Sequence, residues 1–244
     1  MQLLINHLTR MQPGWICTAG IDLKTGRHIR PLDGNGLPNT LLDRNGGPLQ
    51  LGVVVNLGPS EFCGTVPEIE DRKFQIQNLT VVHRLSAEEL FRECEKVAQS
   101  SLRAVFSDDL EWLFQDLGSR AEHHDMNAQR SWGTAAIAQH RGIRSLGCYW
   151  AQSAQLKIIV KEGRPRVRLR FVEGDLGFDV PVTDYRLFLT DQVTPDEPAI
   201  AEFNANIANQ TRTLVAIGLS RAYRHSDNQP ARHWLQVNNI LTVS

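Results

Sequence analysis

The stretch Trp15-Ile16-Cys17-Thr18-Ala19-Gly20-Ile21-Asp22-Leu23-Lys24-Thr25-Gly26-Arg27-His28-Ile29-Arg30-Pro31-Leu32 decides how the rest of the chain is read. Apolar and β-branched residues fill both ends, and Asp22 to Gly26 interrupts them with turn formers. Residues 15–21 and 27–32 are therefore predicted to pair as a β-hairpin. Pro31 has no N–H to give a neighbour, so it ends the second strand or sets it at an edge. Outward from the hairpin, residues 3–8 read as a strand before it. Residues 33–48 carry Gly, Asn, Pro and Asp in loop proportions, and residues 52–57 and 79–85 then read as strands.

Helices interrupt this β pattern in two places. Ser86-Ala87-Glu88-Glu89 has the Ser-x-x-Glu form in which two side chains satisfy free backbone N–H groups at a helix start, and Leu90, Phe91, Cys94 and Val97 follow at helical spacing. Shorter helical pieces are expected over 102–106 and 109–117. Residues 122–141 are polar and weakly patterned, which makes them the expected boundary between an N-terminal unit, 1–140, and a C-terminal one, 141–244. Strands return at 145–151, 156–161, 166–172 and 178–182, separated by Gly-containing turns. Thr194-Pro195-Asp196-Glu197 reads as a second helix start, with Thr194 as cap and Pro195 in the first turn. Its apolar stripe is Ile200, Phe203, Ile207 and Ala208, and strand-like runs at 213–223 and 234–243 finish the chain. Strands, then a helix, then two closing strands is the order of an OB-type five-stranded barrel. The fold class expected is mainly β with helical insertions, as two tandem OB-like barrels.

Composition narrows the function classes. The 244 residues are 41% hydrophobic and 22% charged, and 26 basic against 27 acidic side chains give a net charge of −1. No global field draws the chain to phosphate or to an anionic membrane, so any nucleic-acid surface must be a local patch. No apolar run approaches the roughly 18 residues of a membrane span, and the opening segment lacks a leader's pattern. Cys17, Cys63, Cys94 and Cys148 are widely spaced without a C-x-x-C pair, as expected of reduced thiols in a cytoplasmic protein.

Two segments resemble a known family. The run from Arg10 through Cys17-Thr18-Ala19-Gly20 to Ile29-Arg30-Pro31 resembles the opening of the bacterial dual OB-containing domain proteins, in which an arginine, a Cys-x-Ala-Gly core and an Ile-Arg-Pro ending recur in this order. Gly218-Leu219-Ser220-Arg221-Ala222-Tyr223 and His233 to Ile240 look like the C-terminal barrel ending of one branch, and Glu70-Asp71 and Pro181-Val182-Thr183-Asp184 extend the likeness. The resemblance implies two tandem OB-like barrels and nucleic-acid binding, sometimes beside mobile-element or defence systems, with no established activity. His28 stands where many members carry an aromatic residue.

The candidate site residues are basic and aromatic. A period of two in Arg164-Pro165-Arg166-Val167-Arg168-Leu169-Arg170 puts Arg166, Arg168 and Arg170 on one face and Val167, Leu169 and Phe171 toward a core. Guanidinium groups in such a row contact phosphates and stack on bases, as single-stranded nucleic acid requires. The same row also guards an edge strand against aggregation. Arg27 and Arg30 extend the patch with Trp15 nearby, although alternation sets Arg27 opposite to His28 and Arg30, and an acid such as Asp22 or Asp33 is an equal claim on Arg30. Arg221, Tyr223, Arg224, His225, Arg232, His233 and Trp234 form the densest mixture of basic and aromatic groups, and Tyr223 and Trp234 equally suit the plug of a barrel end. Asn238-Asn239 reads as turn or backbone pairing. Glu122-His123-His124-Asp125 has ligand residue types without ligand spacing, and neither a Gly-x-Ser-x-Gly elbow nor a P-loop is present. No enzyme activity, cofactor, metal or membrane is expected. The partner expected is single-stranded nucleic acid, or a nucleotide that the module senses, and the rival is a protein partner from the same operon.

Overall fold

The computed structural model describes residues 1–34, 36–114, 131–208, 210–224 and 229–242. Its first sheet is built from β1 (Gln2–Arg10), β2 (Trp15–Asp22), β3 (His28–Leu32), β4 (Leu37–Pro38), β5 (Val53–Asn56), β6 (Ser60–Phe62), β7 (Asp71–Phe74) and β8 (Thr80–Arg84). The order β6-β7-β3-β2-β1-β5-β8 leaves it as a half-barrel. The hairpin forms as its sequence predicts, with Gly20 opposite Ile29 and Ile21 opposite His28. Alternation sends Leu3, Ile5, Ile16, Ile29, Val53 and Val55 into this sheet's core.

Helix α1 (Ala87–Val97) carries the predicted capping box, with Glu89 N donating to Ser86 Oγ at 3.2 Å and Ser86 N to Glu89 Oε2 at 2.8 Å. After α1 come β9 (Ala98–Gln99), α2 (Leu102–Phe106), β10 (Glu111–Phe114), β11 (Trp132–Ala138), β12 (Leu146–Lys161), β13 (Arg164–Glu173), β14 (Leu176–Pro181), α3 (Glu197–Ala208), β15 (Arg212–Leu219) and β16 (Arg232–Leu241). Strands β11, β14, β13, β12, β15 and β16 close into a six-strand barrel, one more than the simple five-stranded unit, because β11 bonds both β14 and β16. Together the two sheets make the chain a mainly β protein of two OB-like units with helical insertions.

Four expectations need correction. The helix expected over 109–117 is strand β10 at Glu111–Phe114, where Trp112, Leu113 and Phe114 pair along β11. Bulky aromatic residues suit a pleated surface better than a helix. The division expected at 140/141 does not match the sheets, because β9, β10 and β11 all bond into the second one and α2 packs in its core. The sheets part after α1. Helix α3 is capped by Asp196, whose Oδ1 accepts from Ala199 N at 3.2 Å, while the Thr194 hydroxyl donates to Asp191 in the preceding turn. Strands expected at 145–151 and 156–161 are one long β12 with an irregularity between Gln152 and Gln155.

The barrels are joined by a third apolar core, in which Leu4, Ile21, Val54, Leu90 and Cys94 of the first unit meet Cys148, Leu214 and Leu241 of the second. Beside it runs a buried polar layer produced by two β-bulges. In β1 the register slips between Ile5 and His7, so Asn6 is the extra residue and Asn6 and His7 both turn toward the second barrel. In β16 the register slips opposite Ala216 and Ile217, and Asn238 is the extra residue. The bulges meet. Asn238 Nδ2 lies 3.0 Å from His7 Nδ1, and Asn239 exchanges hydrogen bonds with both backbone groups of Leu8 at 2.7 and 3.1 Å. Two glycines make room for this contact: a Cβ at Gly20 would lie 2.3 Å from the Leu4 carbonyl oxygen, and one at Gly218 would lie 2.6 Å from Asn238 Nδ2.

Candidate nucleic-acid interface

Strand β13 is laid out as its period of two requires. Val167, Leu169 and Phe171 fill the core of the closed barrel, and Arg166, Arg168 and Arg170 stand on the other face. Neighbouring β14 offers that face one carboxylate, Asp179, which accepts from Arg168 Nε at 2.7 Å and from Arg170 Nε at 2.9 Å. Arg170 is only 7% exposed and lies over the Trp132 ring at 5.1 Å. It braces β11 against β13 rather than meeting solvent. Arg166 is exposed and forms no ion pair among the described residues.

The aromatic pair lies beside this row. Tyr223 follows β15 and pairs with Arg232 at the start of β16, which sets its ring 6.1 Å from that of Trp234 at 41°. Tyr223 is 45% exposed. Partial burial raises the Tyr223 pKa, and the nearby charges of Arg168 and Arg166 act against that rise. Burial first, and then Arg166, lowers the pKa of Arg10. The outward arginines of β13 thus lie near enough to the Tyr223–Trp234 pair for their charges to act on the Tyr223 hydroxyl.

The other candidates fall elsewhere. Arg30 is 5% exposed, and its acid is neither Asp22 nor Asp33 but Asp71 on β7, with Nε 2.6 Å from Oδ1. Arg221 bonds the same Asp71 at 2.7 Å and Glu68 at 3.2 Å, which makes an ion network across the two units. His233 is 2% exposed, 3.0 Å from Ser220 O and 3.6 Å from Glu68, so it belongs to that network and not to the surface. Arg232 pairs with Glu111 of β10 at 2.6 Å. Arg224 is exposed next to Tyr223. Arg27 is exposed too, but it lines a second cleft of about 570 Å³ with His28, Arg72 and Arg144. Trp15 is exposed and lies beside Gly36. The segment Glu122-His123-His124-Asp125 and His225 lie outside the described residues, and among the described residues no cluster of metal-ligating side chains occurs.

A cavity of about 410 Å³ opens between the two units and gathers much of what was read from separate ends of the chain. Arg10, Cys17, Ala19, Arg30 and Pro31 line it from the first unit, and Thr183, Leu219, Ser220, Arg221, Gln236 and Asn238 from the second. Its buried edge is His7, a residue that sequence reading passed over. The available signal was the polar pair Asn6-His7 inside an otherwise apolar strand. Burial first, then His28 and Arg30, holds the His7 pKa well below the usual histidine range, so its ring stays neutral. Asn238, expected to serve backbone pairing, instead orients that ring. Glu70 belongs to the same seam. Its carboxylate accepts from Ser145 N, Ser145 Oγ and Leu146 N at 2.8, 2.8 and 3.1 Å, and burial raises its pKa.

The dual OB-containing domain family model matches residues 1–240, and no curated protein or solved structure matches. The chain belongs to that family. Among the described residues no helix is long and apolar enough to cross a membrane.

Proposed function

From membership of the dual OB-containing domain family, we propose that this chain is a non-catalytic module that binds single-stranded nucleic acid in the bacterial cytoplasm, in a defence or mobile-element setting. What supports the reading is the outward arginine row of β13 together with the Tyr223–Trp234 ring pair, on whose tyrosine the charges of Arg168 and Arg166 act. Guanidinium groups follow the phosphates of a strand, and exposed rings stack on its bases without regard to sequence, each stacked base being worth about 1–3 kcal/mol. Arg224, exposed beside Tyr223, extends the track.

Fluorescence anisotropy with labelled oligothymidylate and oligouridylate across a salt series tests it. Binding is expected to weaken steeply with salt through counterion release. Arg166→Ala or Arg224→Ala is expected to lower the salt slope by about one, and Tyr223→Ala to weaken binding at all salt concentrations. Absence of binding at low salt, or affinity independent of salt, refutes the reading. A protein partner is the second reading, favoured by the exposed apolar side chains Phe62, Val66 and Ile69 in and after β6. Under it oligonucleotides stay unbound at every salt concentration.

A further inference from the structure

The cavity between the units has the features of a binding site separate from the outer face. Its polar wall carries donors that the protein itself leaves unused. Asn238 Oδ1 faces the Thr183 hydroxyl at 3.4 Å, which directs Nδ2 toward His7 Nδ1. The proton of the neutral His7 ring therefore sits on Nε2, and this buried N–H has no partner among the described residues although His7 is only 1% exposed. Arg30 commits Nε to Asp71, while its buried Nη2 is likewise without a partner. Arg10 Nε is in the same condition. A buried donor left unpaired costs about 1–3 kcal/mol, and three around one cavity mark a place shaped for an acceptor-rich molecule.

Charge and shape narrow the class. Arg10, Arg30 and Arg221 line the cavity; Asp71 and Glu68 are bonded to two of them, and the charges of Asp191 and Glu70 act on Arg10 and Arg30. With carboxylates this close, the arginines suit a single phosphate group better than a triphosphate. Ile16, Leu37 and Leu219 add apolar lining, which suits a flat ring and gives nothing to a bare anion. A volume of about 410 Å³ is within the usual range for a small-molecule site. We propose that the inter-barrel cavity binds one nucleoside monophosphate unit, with its phosphate toward Arg30 and His7 and its base against Ile16, Leu37 and Leu219. Such a unit is either a free mononucleotide or the phosphorylated end of a strand. The mouth permits the second source, because Ser220 and Arg221 lead from the cavity toward Tyr223, and Gln236 of the cavity shares a face of β16 with Trp234.

Calorimetric titration of the full chain with AMP, UMP, adenosine and inorganic phosphate decides the class. A nucleoside monophosphate is expected to bind at least about tenfold more tightly than adenosine or phosphate, and Arg30→Gln to weaken it by about tenfold or more. Binding of phosphate as tight as that of AMP, or an affinity unmoved by Arg30→Gln, overturns the proposal. Thymidine hexanucleotides with 5′-phosphate, 3′-phosphate or free hydroxyl ends supply the other arm. A preference for one phosphorylated end over free mononucleotide assigns the strand terminus, and the reverse assigns the free ligand. Mononucleotides do not span the outer face, so their titration is decided independently of strand binding. Should Arg30→Gln fail to fold, alkylation of the native protein followed by peptide mass analysis reads the same site. Cys17 lines the cavity and Cys63 does not. Saturating AMP or phosphorylated hexanucleotide is expected to slow alkylation of Cys17 at least threefold relative to Cys63. Equal rates with and without both ligands refute the proposal.

Discussion

His28 makes the seam between the barrels sensitive to acid. It is 9% exposed, its Nε2 lies 3.4 Å from Asn6 Nδ2, and its ring meets that of His7 edge-on at 5.1 Å. Burial, with a further contribution from Arg144, lowers its pKa from 6.5 to about 4. Below pH 6.5 the unfolded chain takes up a proton that the folded chain refuses, so stability falls as the pH drops and levels off below about 4. The full gap corresponds to roughly 3 kcal/mol, of which about 2 kcal/mol is lost by pH 5. His7 adds to the loss in the same direction. Glu70 opposes it, because its raised pKa lets the folded chain hold a proton above the ordinary carboxylate range. Urea unfolding of the wild-type chain and of His28→Gln at pH 7, 6 and 5 separates these contributions, since the difference between the two curves contains His28 and its coupling to His7 and leaves out Glu70. The wild type is expected to lose about 2 kcal/mol more than the variant between pH 7 and pH 5. Parallel curves would refute the reasoning, and with it the neutral state of His28 in the folded seam.

Two further outcomes follow from the same seam. Gly20→Ala sets a methyl group 2.3 Å from the Leu4 carbonyl oxygen, where β1 and β2 meet at the bulge. It is expected to cost about 2–3 kcal/mol in urea unfolding, and an unchanged midpoint would show that the strands do not approach this closely. Glu70→Ala leaves two buried N–H groups and the Ser145 hydroxyl without their acceptor, with an expected loss of about 2–3 kcal/mol. A loss below about 0.5 kcal/mol would mean that water replaces the carboxylate.

What was legible in the sequence was what is decided locally. The hairpin at 15–32, the capping box at Ser86 and the arginine alternation of β13 all rest on neighbours a few residues apart, and all three form as read. Strand β10 was misread because a four-residue run has too few positions to separate a period of 3.6 from a period of two, and its pairing with β11 settled the choice. The unit boundary was misplaced for a related reason. Residues 98–138 look like an insert in sequence, and only hydrogen bonds to β12, β14 and β16 assign them to the second sheet. At the site, the meeting of β13 with Tyr223 and Trp234 was anticipated as a need and not as a geometry. The acid that takes Arg30 sits 41 residues away, and the asparagine that orients His7 sits 231 residues away. Contacts of that reach leave no trace in periodicity.

The third core has a consequence for anyone who would take this chain apart. Leu4, Ile21, Val54, Leu90 and Cys94 share one apolar cluster with Cys148, Leu214 and Leu241 of the other unit. Cut between α1 and β9, each piece would display a sticky apolar face together with stranded polar groups such as Asn6, His7 and Asn238. Either OB unit borrowed as a stand-alone part would carry that face into water.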